Sequence, residues 1–333
     1  YQLYASWNVR AEAVAGHSIG EYAAACVAGV FSVEEGMRLV SARGRLMSAL
    51  PRTGAMAAVL ASADNVAVLD IPGVEIAAIN GPDQTVVSGS RAGINAFMAA
   101  MEGEGYRTKQ LNVSHAFHSS RMDPMLEAFR EVAATVHYSA PNMRITSNAK
   151  GQLQESFDAE YWVRQIRNPI NFNACLQTLS GIANTFLELG PRPVLTGMAS
   201  RALPGDFGFV PTLTGDRAEH VEALAGFGRL WACGVPVDWS VLYGSRPQQG
   251  VVPTTSFQRR SHWIDAGQPA LDVEPPPLWA WEWRPLSVAA RPVTGTVIGD
   301  GALADSVRIS VPEGDERLIY VAGDGSDIDL CET

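Results

Sequence analysis

Near the N-terminus, the pattern of apolar and polar positions predicts a short strand followed by two helices. Ala13–Gly16 is an apolar run of the kind that forms a buried strand. The alanine-rich segment Glu21–Val30 favours a helix. A second helix is predicted to begin at Ser32, which is followed three residues later by a glutamate, as in a capping box. We expect this helix to continue to about Leu50, because Pro51 cannot extend it.

The next segment, residues 55–112, alternates predicted strands and helices. Their order is β-α-β-β-α-β, which is typical of a ferredoxin-like unit. Because the alternation of the flanking regions resumes after it, we interpret this segment as a small subdomain inserted into a larger α/β domain. The predicted elements are Ala55–Leu60, Asp64–Leu69, Val74–Ile79, Gln84–Ser88, Arg91–Met101 and Tyr106–Asn112, with a turn at Asn80–Asp83.

The composition changes after Tyr243. Residues 244–278 are rich in Pro, Gly and Gln, which is typical of a linker. Trp279–Pro285 then opens a further unit with alternating aromatic residues. The remaining predicted elements are helices at Pro124–Val136 and Ala218–Cys233 and strands at Asn184–Leu189, Val307–Val311 and Leu318–Ala322. The predicted helix at Ala218–Cys233 has an apolar face formed by Val221, Leu224, Phe227 and Leu230.

The composition is that of a folded globular chain. Of its 333 residues, 47% are hydrophobic and 18% are charged, and the formal net charge is −10. An acidic chain whose longest basic run is Arg259–Arg260 is poorly suited to bind nucleic acid or an anionic membrane. The uncharged stretch Tyr22–Phe31 is too short to span a bilayer. The four cysteines form no CxxC pair, so we expect neither a zinc site nor a disulfide framework. We expect a cytoplasmic location.

Gly16-x-Ser18-x-Gly20 lies between the first predicted strand and helix, and it is the sharpest chemical signal in the chain. A nucleophilic serine on such a tight turn adopts strained dihedral angles that bulky neighbours would obstruct. The N-terminal N–H groups of the next helix can then stabilise a developing negative charge. A simple glycine-rich turn is the alternative interpretation.

A serine nucleophile needs a base, and a carboxylate substrate needs a cation. His115 and His118 lie where the small subdomain returns to the main body, and the residue pattern alone leaves both open as bases or as loop histidines. Their His-x-x-His spacing lacks further metal ligands, so we expect no metal site.

Arg43, on the long helix, could bind a carboxylate, although it and Arg45 could equally be solvated charges.

Together these segments resemble the malonyl-CoA:acyl-carrier-protein transacylase family, and more narrowly the acyltransferase domain of type I polyketide synthases. The resemblance covers about residues 1–243 and continues past them. The matching segments are Gly16-His17-Ser18-Ile19-Gly20-Glu21, Arg43-Gly44 with Met47, Asn80-Gly81-Pro82 with Gln84, His115–His118, Gln165 within Arg164–Pro169, and Gly190-Pro191 with Pro193–Leu195.

The resemblance implies an α/β fold with an α/β-hydrolase-like core and an inserted ferredoxin-like small subdomain. It makes His118 the base, because the family base is the last residue of its four-residue motif. It also makes Arg43 the partner of a substrate carboxylate and the Ile19 N–H an oxyanion donor. Gln165 is implied to support His118 through a neutral hydrogen bond, and Asn80 to lie in the pocket of the small subdomain.

The same resemblance carries an expectation about the acyl group. The motif His115-Ala116-Phe117-His118 goes with malonyl units in such domains, and Ile19 agrees with that choice. His115, Phe117 and Ile19 are therefore the implied specificity residues. Phe117 would fill the space that an α-methyl branch needs, a discrimination on the order of 1–3 kcal/mol.

The implied activity is transfer of malonyl from malonyl-CoA, through an acyl-serine, to the phosphopantetheine thiol of an acyl carrier protein, with no bound cofactor. The implied partners are that carrier protein and, in the same chain, the ketosynthase and other domains of a synthase. The implied domains are an acyltransferase at 1–243, with its small subdomain at 55–112, a linker at 244–278, and the start of a ketoreductase-type structural subdomain at 279–333.

The family's domain begins with a Gly-Gln-Gly-x-Gln segment that would lie upstream of Tyr1. We therefore expect the isolated chain to fold poorly and to be nearly inactive, and an N-terminal extension to restore both properties. Two other functions stay open at this point. One is a serine hydrolase, although its late acid and histidine are hard to assign here, and the other is a non-catalytic docking remnant of an acyltransferase.

Overall fold

The computed structural model describes residues 1–244, 296–298 and 318–320. It divides the chain into two units, Tyr1–Val251 and Val252–Thr333. The helices are α1 (Gln2–Ser6), α2 (Gly20–Val27), α3 (Val33–Ser48), α4 (Ala63–Val68), α5 (Arg91–Gly103), α6 (Asp123–Ala133), α7 (Ala159–Arg167), α8 (Phe172–Ser180), α9 (Val194–Ala202), α10 (Glu219–Ala232) and α11 (Ser240–Tyr243). The strands are β1 (Ala13–Val14), β2 (Gly54–Val59), β3 (Val74–Gly81), β4 (Gln84–Ser90), β5 (Thr108–Gln110), β6 (Arg144–Ile145), β7 (Ile170–Asn171), β8 (Thr185–Glu188), β9 (Gly208–Pro211), β10 (Thr296–Ile298) and β11 (Leu318–Tyr320).

The main body packs α2, α3, α6 and α7 around the short parallel pair β1 and β6. β1 is two residues shorter than predicted, because the chain turns away at Ala15 and Gly16 before α2 begins. The core of this body contains the fully buried side chains of Tyr22, Leu39 and Trp162. Burial of such large side chains is what stabilises a body whose β-sheet is so small.

The capping box at the start of α3 is confirmed. The Ser32 hydroxyl accepts a hydrogen bond from the Glu35 N–H at 3.2 Å, and the Glu35 carboxylate accepts one from the Ser32 N–H at 3.2 Å. The helix ends at Ser48, two residues before the predicted end. The residue preceding a proline disfavours helical dihedral angles, so Leu50 falls outside the helix.

The six elements predicted within residues 55–112 are all present. Strands β2 to β5 form a sheet of order β5-β2-β4-β3 in which each neighbouring pair is antiparallel, and α4 and α5 connect the strands as predicted. β5 is shorter than predicted, because only Thr108–Gln110 pairs with β2. A fifth strand, β7, adds in parallel to β3, and its two residues are too few to show an alternating pattern.

The C-terminal part of the first unit confirms the predicted strand and helix but corrects the helix face. β8 pairs in parallel with β9. The buried face of α10 includes Ala223, Gly226, Phe227 and Leu230. Leu224, which was predicted to face the core, is 41% exposed. Small residues face the core here because Tyr4 approaches closely: a Cβ on Gly226 would lie 2.6 Å from the Tyr4 hydroxyl. That hydroxyl donates a hydrogen bond to the Ala223 carbonyl at 2.8 Å.

In the second unit, β10 and β11 pair in parallel over three residues each. β11 confirms the first half of the predicted strand Leu318–Ala322, and β10 is a strand that the sequence pattern did not predict. The predicted linker, the aromatic segment Trp279–Pro285 and the strand Val307–Val311 lie outside the described residues.

Candidate active site

Ser18 lies on the tight turn between β1 and α2. Its φ angle is +51°, in the left-handed region that side chains rarely adopt, which confirms the strained turn. Gly16 is required by packing, since a Cβ there would lie 2.0 Å from the carbonyl carbon of Gly20. Gly20 is not required in the same way, because a Cβ on it meets no atom within 4 Å. The expectation that both glycines relieve crowding is thus confirmed for Gly16 and wrong for Gly20.

His118 lies directly against Ser18. Its Nε2 atom is 2.7 Å from the Ser18 Oγ, and its Nδ1 atom is 3.1 Å from the carbonyl oxygen of Asn168. A carbonyl can only accept, so Nδ1 carries the ring proton and Nε2 is left to accept the proton of the serine hydroxyl. The His118 backbone is also left-handed, with φ of +54°. The geometry therefore pairs Ser18 with one of the two candidate histidines.

Burial keeps His118 in its neutral form. The side chain is only 5% exposed, and this burial is the main cause that lowers the pKa of His118 to about 3. The positive charge of Arg43 and the neighbouring His17 lower it further, against the hydrogen-bonding carbonyls of Asn168 and Gln165. A neutral imidazole beside the serine hydroxyl has its lone pair free to accept the proton at neutral pH, while the lowered pKa weakens it as a base.

Arg43 extends from α3 to the same serine. It is 5% exposed, and its Nη2 atom donates to the Ser18 Oγ at 3.2 Å. Its Nε atom has no hydrogen-bond partner among the described residues, and the guanidinium lies over the Tyr22 ring at 5.6 Å from the centroid. Arg45 on the same helix is exposed to solvent. The structure thus separates the two arginines, since only Arg43 carries a buried charge at the site.

The main chain of the turn leaves one N–H group available. The Ser18 N–H donates to the Asn148 Oδ1 at 2.8 Å. The Ile19 N–H makes no hydrogen bond within residues 1–244, and Ile19 stands at the N-terminal end of α2. An available N–H next to Ser18, at the positive end of a helix, fits the expected oxyanion donor.

Gln165 is buried at the site, but its side chain contacts a different group from the one expected. Its Nε2 atom donates to the carbonyl oxygen of Ser18 at 2.8 Å. His118 is instead contacted by the main-chain carbonyls of Gln165 and Asn168. Gln165 therefore bonds His118 through its main chain, as Asn168 does, while its side-chain amide bonds the carbonyl oxygen of Ser18.

The implied specificity residues occupy different depths. Phe117 is half-buried and packs against both the main-body core and the core beneath the small sheet. His115 is 3% exposed, bonds the Leu50 carbonyl at 3.0 Å and Ser114, and faces Phe117 at 6.0 Å between ring centroids. Ile19 is 52% exposed. Of the three, His115 is thus bonded to the segment that follows α3, and its ring faces Phe117.

Asn80 lies on the other side of the turn. It is 6% exposed and is 2.8 Å from the Nε2 atom of His17, whose ring packs edge-on against Phe172. Burial lowers the pKa of His17 below its ordinary value. The small sheet thereby contacts the turn that carries Ser18, and within the described residues Asn80 bonds His17 rather than Ser18 or His118.

Sequence reasoning missed Asn148, which organises the turn. It is fully buried, and its side chain bonds both the Ser18 N–H and the Gly16 carbonyl, while its own N–H donates to Glu21 at 3.0 Å. The signal available in the sequence is the polar run Thr146–Asn148 directly after a strand, which is hard to distinguish from a surface turn.

Among the described residues, no group of acidic, histidine or cysteine side chains could hold a metal ion, and no helix is long and apolar enough to cross a membrane.

Residues 1–231 match the family model of the acyl transferase domain, and this chain belongs to that family. Its homologues and structural neighbours are polyketide synthase acyltransferase domains, which confirms the resemblance. Polyketide synthase GfsA of Streptomyces halstedii is 40% identical over an alignment of 323 positions that covers 92% of this chain and 4% of that protein. The relative named "Putative inactive phenolphthiocerol synthesis polyketide synthase type I Pks1", of Mycobacterium tuberculosis, is 42% identical over 80% of this chain and 17% of its own length.

The mixed α/β fold is that of solved acyltransferase domains. The domain from the second module of the salinomycin polyketide synthase superposes with a TM-score of 0.73 at 43% identity, covering 76% of this chain and 61% of that one. The chain spans under a fifth of the length of the two curated relatives described above.

Proposed function

We propose that this chain transfers a malonyl group from malonyl-CoA to the phosphopantetheine thiol of an acyl carrier protein. The observation that carries the proposal is the Arg43 guanidinium, buried without an ion pair among the described residues and 3.2 Å from the Ser18 Oγ. An unpaired buried cation is costly, so a site that keeps one beside its nucleophile is built to receive an anion. A carboxyacyl thioester supplies that anion on the group to be transferred.

The proposed domain organisation follows from the same family. We propose an α/β-hydrolase-like core over residues 1–243, with a ferredoxin-like subdomain at 55–112 whose strand order supports this assignment. A linker at 244–278 and the start of a ketoreductase-type structural subdomain at 279–333 complete the proposal. The proposed partners are an acyl carrier protein and, within a longer synthase, its ketosynthase and other domains, with no bound cofactor.

The first half of the proposed mechanism acylates the serine. His118 Nε2 takes the proton of the Ser18 hydroxyl as Oγ bonds to the thioester carbon. The carbonyl oxygen becomes an oxyanion next to the Ile19 N–H, while Arg43 holds the free carboxylate. As the intermediate collapses, the C–S bond breaks and the coenzyme A sulfur receives the proton from His118. The products are malonyl-Ser18 and coenzyme A.

The second half reverses these roles. The phosphopantetheine thiol loses its proton to His118 Nε2 and attacks the malonyl-serine. The C–O bond to Ser18 then breaks, and His118 returns the proton to Oγ, so the enzyme is regenerated. Since neither half consumes a proton or an electron, the site needs only a nucleophile, a base, an oxyanion donor and a group that binds the carboxylate.

The first experiment is a competition between acyl donors. The chain, extended at its N-terminus, is mixed with malonyl-CoA and methylmalonyl-CoA, and intact-mass spectrometry identifies the adduct. We expect a malonyl adduct that is absent in Ser18→Ala. A methylmalonyl adduct would keep the reaction class but refute the role of Phe117, and no adduct from a folded protein would refute the proposed transfer.

Arg43→Ala tests the carboxylate partner. Losing a buried charge-assisted contact lowers the acylation rate with malonyl-CoA by about 100-fold or more, while acetyl-CoA, which has no carboxylate, loses nothing comparable. Arg45→Ala removes an exposed arginine from the same helix and is the matched control, with the wild-type rate expected. Equal losses with both donors would show that Arg43 acts on Ser18 rather than on the substrate.

Phe117→Ala tests the proposed acyl selection. Removing the ring opens space beside His118, so the methylmalonyl to malonyl ratio should rise by about tenfold, within the range available to one methyl group. An unchanged ratio would place the selection elsewhere in the site.

One relative carries the word inactive in its name, which keeps a non-catalytic docking role as the second candidate. The contacts among Ser18, His118 and Arg43 are those of a competent site, and they favour transfer. A folded chain that forms no adduct but still binds its carrier protein would favour docking.

A further inference from the structure

Among the described residues, Glu75 is the side chain of the small sheet that forms an ion pair with the main body. It lies on β3, and its Oε2 atom is 2.9 Å from the Nη1 atom of Arg167, the last residue of α7. Its Oε1 atom accepts hydrogen bonds from the N–H of Ser120, at 2.8 Å, and from the Ser120 hydroxyl, at 2.5 Å. Asp123, the first residue of α6, bonds the Nε atom of Arg167 at 2.7 Å. The two oxygens of the Glu75 carboxylate thus bind two different segments of the main body.

Both of these segments hold His118. Ser120 is two residues after His118 in the chain. Arg167 directly precedes Asn168, whose carbonyl oxygen is 3.1 Å from the Nδ1 atom of His118. One side chain therefore joins the segment that carries the main chain of His118 to the segment that fixes its ring proton.

The main chain of His118 needs such support, because its φ angle of +54° lies in the left-handed region. A non-glycine residue keeps this conformation only where its surroundings hold it there. Within the loop, the buried Ser119 hydroxyl donates to the Ala116 carbonyl at 2.7 Å. From outside the loop, Glu75 holds the next residue, Ser120, by its main chain and its side chain. The small sheet thus takes part in fixing the strained residue.

The exposure of the ion pair favours an effect on geometry over an effect on stability. The side chains of Glu75 and Arg167 are 31% and 30% exposed, and ion pairs that reach solvent contribute little to the free energy of unfolding. Proton transfer is more demanding, since the base must stay within hydrogen-bonding distance of the hydroxyl. The Nε2 atom of His118 is now 2.7 Å from the Ser18 Oγ, and a small displacement of the loop would lengthen this contact.

We propose that Glu75 is a positioning residue for His118: it joins Ser120 to Arg167 and thereby keeps the imidazole in register with the Ser18 hydroxyl. The proposal rests on the proposed acyl transfer for its effect on rate, but not for the geometry of His118. The bonds of Glu75 go to Ser120 and Arg167 and not to Ser18 or Arg43 within the described residues. Its loss should therefore slow the chemical step and leave the binding of malonyl-CoA unchanged.

The first test measures single-turnover acylation of Ser18 in Glu75→Gln, with the N-terminally extended chain and a range of malonyl-CoA concentrations. We expect the maximal acylation rate to fall by about tenfold and the half-saturating concentration to stay within about twofold of the wild type. Glu160→Gln is the matched control, because Glu160 lies on α7 and pairs with Arg130 of α6 but bonds neither Ser120 nor Arg167. This control should keep the wild-type values. Equal falls in rate in both variants, or a higher half-saturating concentration at an unchanged maximal rate in Glu75→Gln, would overturn the proposal.

Arg167→Gln tests the same contact from the other side. It removes the ion pair but leaves the bonds between Glu75 and Ser120, and it provides a second variant if Glu75→Gln does not fold. Because the two residues act through one contact, the double variant should lose no more rate than the more affected single variant. Losses that multiply in the double variant would refute a shared role.

NMR of protein with labelled histidine gives a readout without turnover. The ring N–H resonance of His118, assigned by its loss in His118→Gln, reports the hydrogen bond to Asn168. We expect this resonance to shift in Glu75→Gln and to stay in place in Glu160→Gln. A shift in folded protein supports the positioning role even if malonyl transfer itself fails, and an unchanged resonance in Glu75→Gln refutes it.

Discussion

The low pKa of His118 predicts an acyl transfer that tolerates acid. An ordinary imidazole with a pKa of 6.5 is only about one tenth neutral at pH 5.5 and would lose about tenfold in base-dependent rate between pH 7.5 and 5.5. With its pKa lowered to about 3, His118 stays essentially neutral over this interval. We therefore expect the acylation rate of Ser18 by malonyl-CoA, measured under kcat/KM conditions, to change by less than about twofold between these two pH values.

The lowered pKa of His118 also makes the folded protein less stable at acid pH. The pKa of His118 is lower in the folded protein than in the unfolded chain. As pH falls from 6.5 towards 3, the unfolded chain therefore binds more protons than the folded protein, and the free energy of unfolding decreases. From 6.5 to about 3, at about 1.4 kcal/mol per pKa unit, the loss amounts to about 5 kcal/mol. His118→Gln cannot take up this proton, so its urea unfolding should lose correspondingly less stability at acid pH.

The assay is rapid-quench intact-mass spectrometry of the acyl-enzyme, with circular dichroism at each pH to verify folding. An NMR titration of labelled histidine identifies the group, and Arg43→Gln serves as a probe because the Arg43 charge is the second cause of the low pKa. This variant should raise the pKa of His118, whereas Arg45→Gln should not. A tenfold fall in rate with an apparent pKa near 6.5, in protein that remains folded, would refute the reasoning.

Further predictions concern the turn and the helix cap. Gly16→Ala places a Cβ 2.0 Å from the backbone of Gly20, so it should lower the free energy of unfolding by about 3 kcal/mol or more, measured by thermal unfolding. The Cβ of Gly20→Ala meets no atom within 4 Å, so this variant should stay within about 0.5 kcal/mol of the wild type. Equal losses in the two variants would contradict the geometry of the turn. Ser32→Ala removes one half of the capping box and should cost about 1 kcal/mol in urea unfolding, and an unchanged midpoint would show that the cap contributes nothing.

The parts of the site that the sequence predicts are those with a local physical cause. The turn at Ser18 is set by its glycine and by the strand and helix on either side, and the cap at Ser32 by a residue three positions away. The choice of His118 over His115 was not local, since Ser18 and His118 are 100 positions apart. It needed a family resemblance, and in the structure His118, rather than His115, lies against Ser18.

The misplaced contacts share one cause, which is that a side chain's partner depends on the tertiary fold. Gln165 was expected to bond His118 and does so through its main chain, whereas its side-chain amide reaches the Ser18 carbonyl 147 positions away. On α10, hydrophobicity favoured Leu224 in the core, but the approach of Tyr4 to Gly226 turned the small residues inward. In both cases a neighbour from a distant part of the chain decided between alternatives that the local pattern leaves equal.

The supports of the nucleophile and base come mainly from one stretch of chain. Asn148 holds the Ser18 N–H, Gln165 holds the Ser18 carbonyl, and the Asn168 carbonyl holds His118. These three supports are neutral, and His118 is neutral as well. Arg43 is then the charge that bonds Ser18 within the described residues. The proposed nucleophile and base are thus neutral and lie beside one buried cation, which supports the proposed carboxyacyl group, because the cation's desolvation is compensated only when an anion binds.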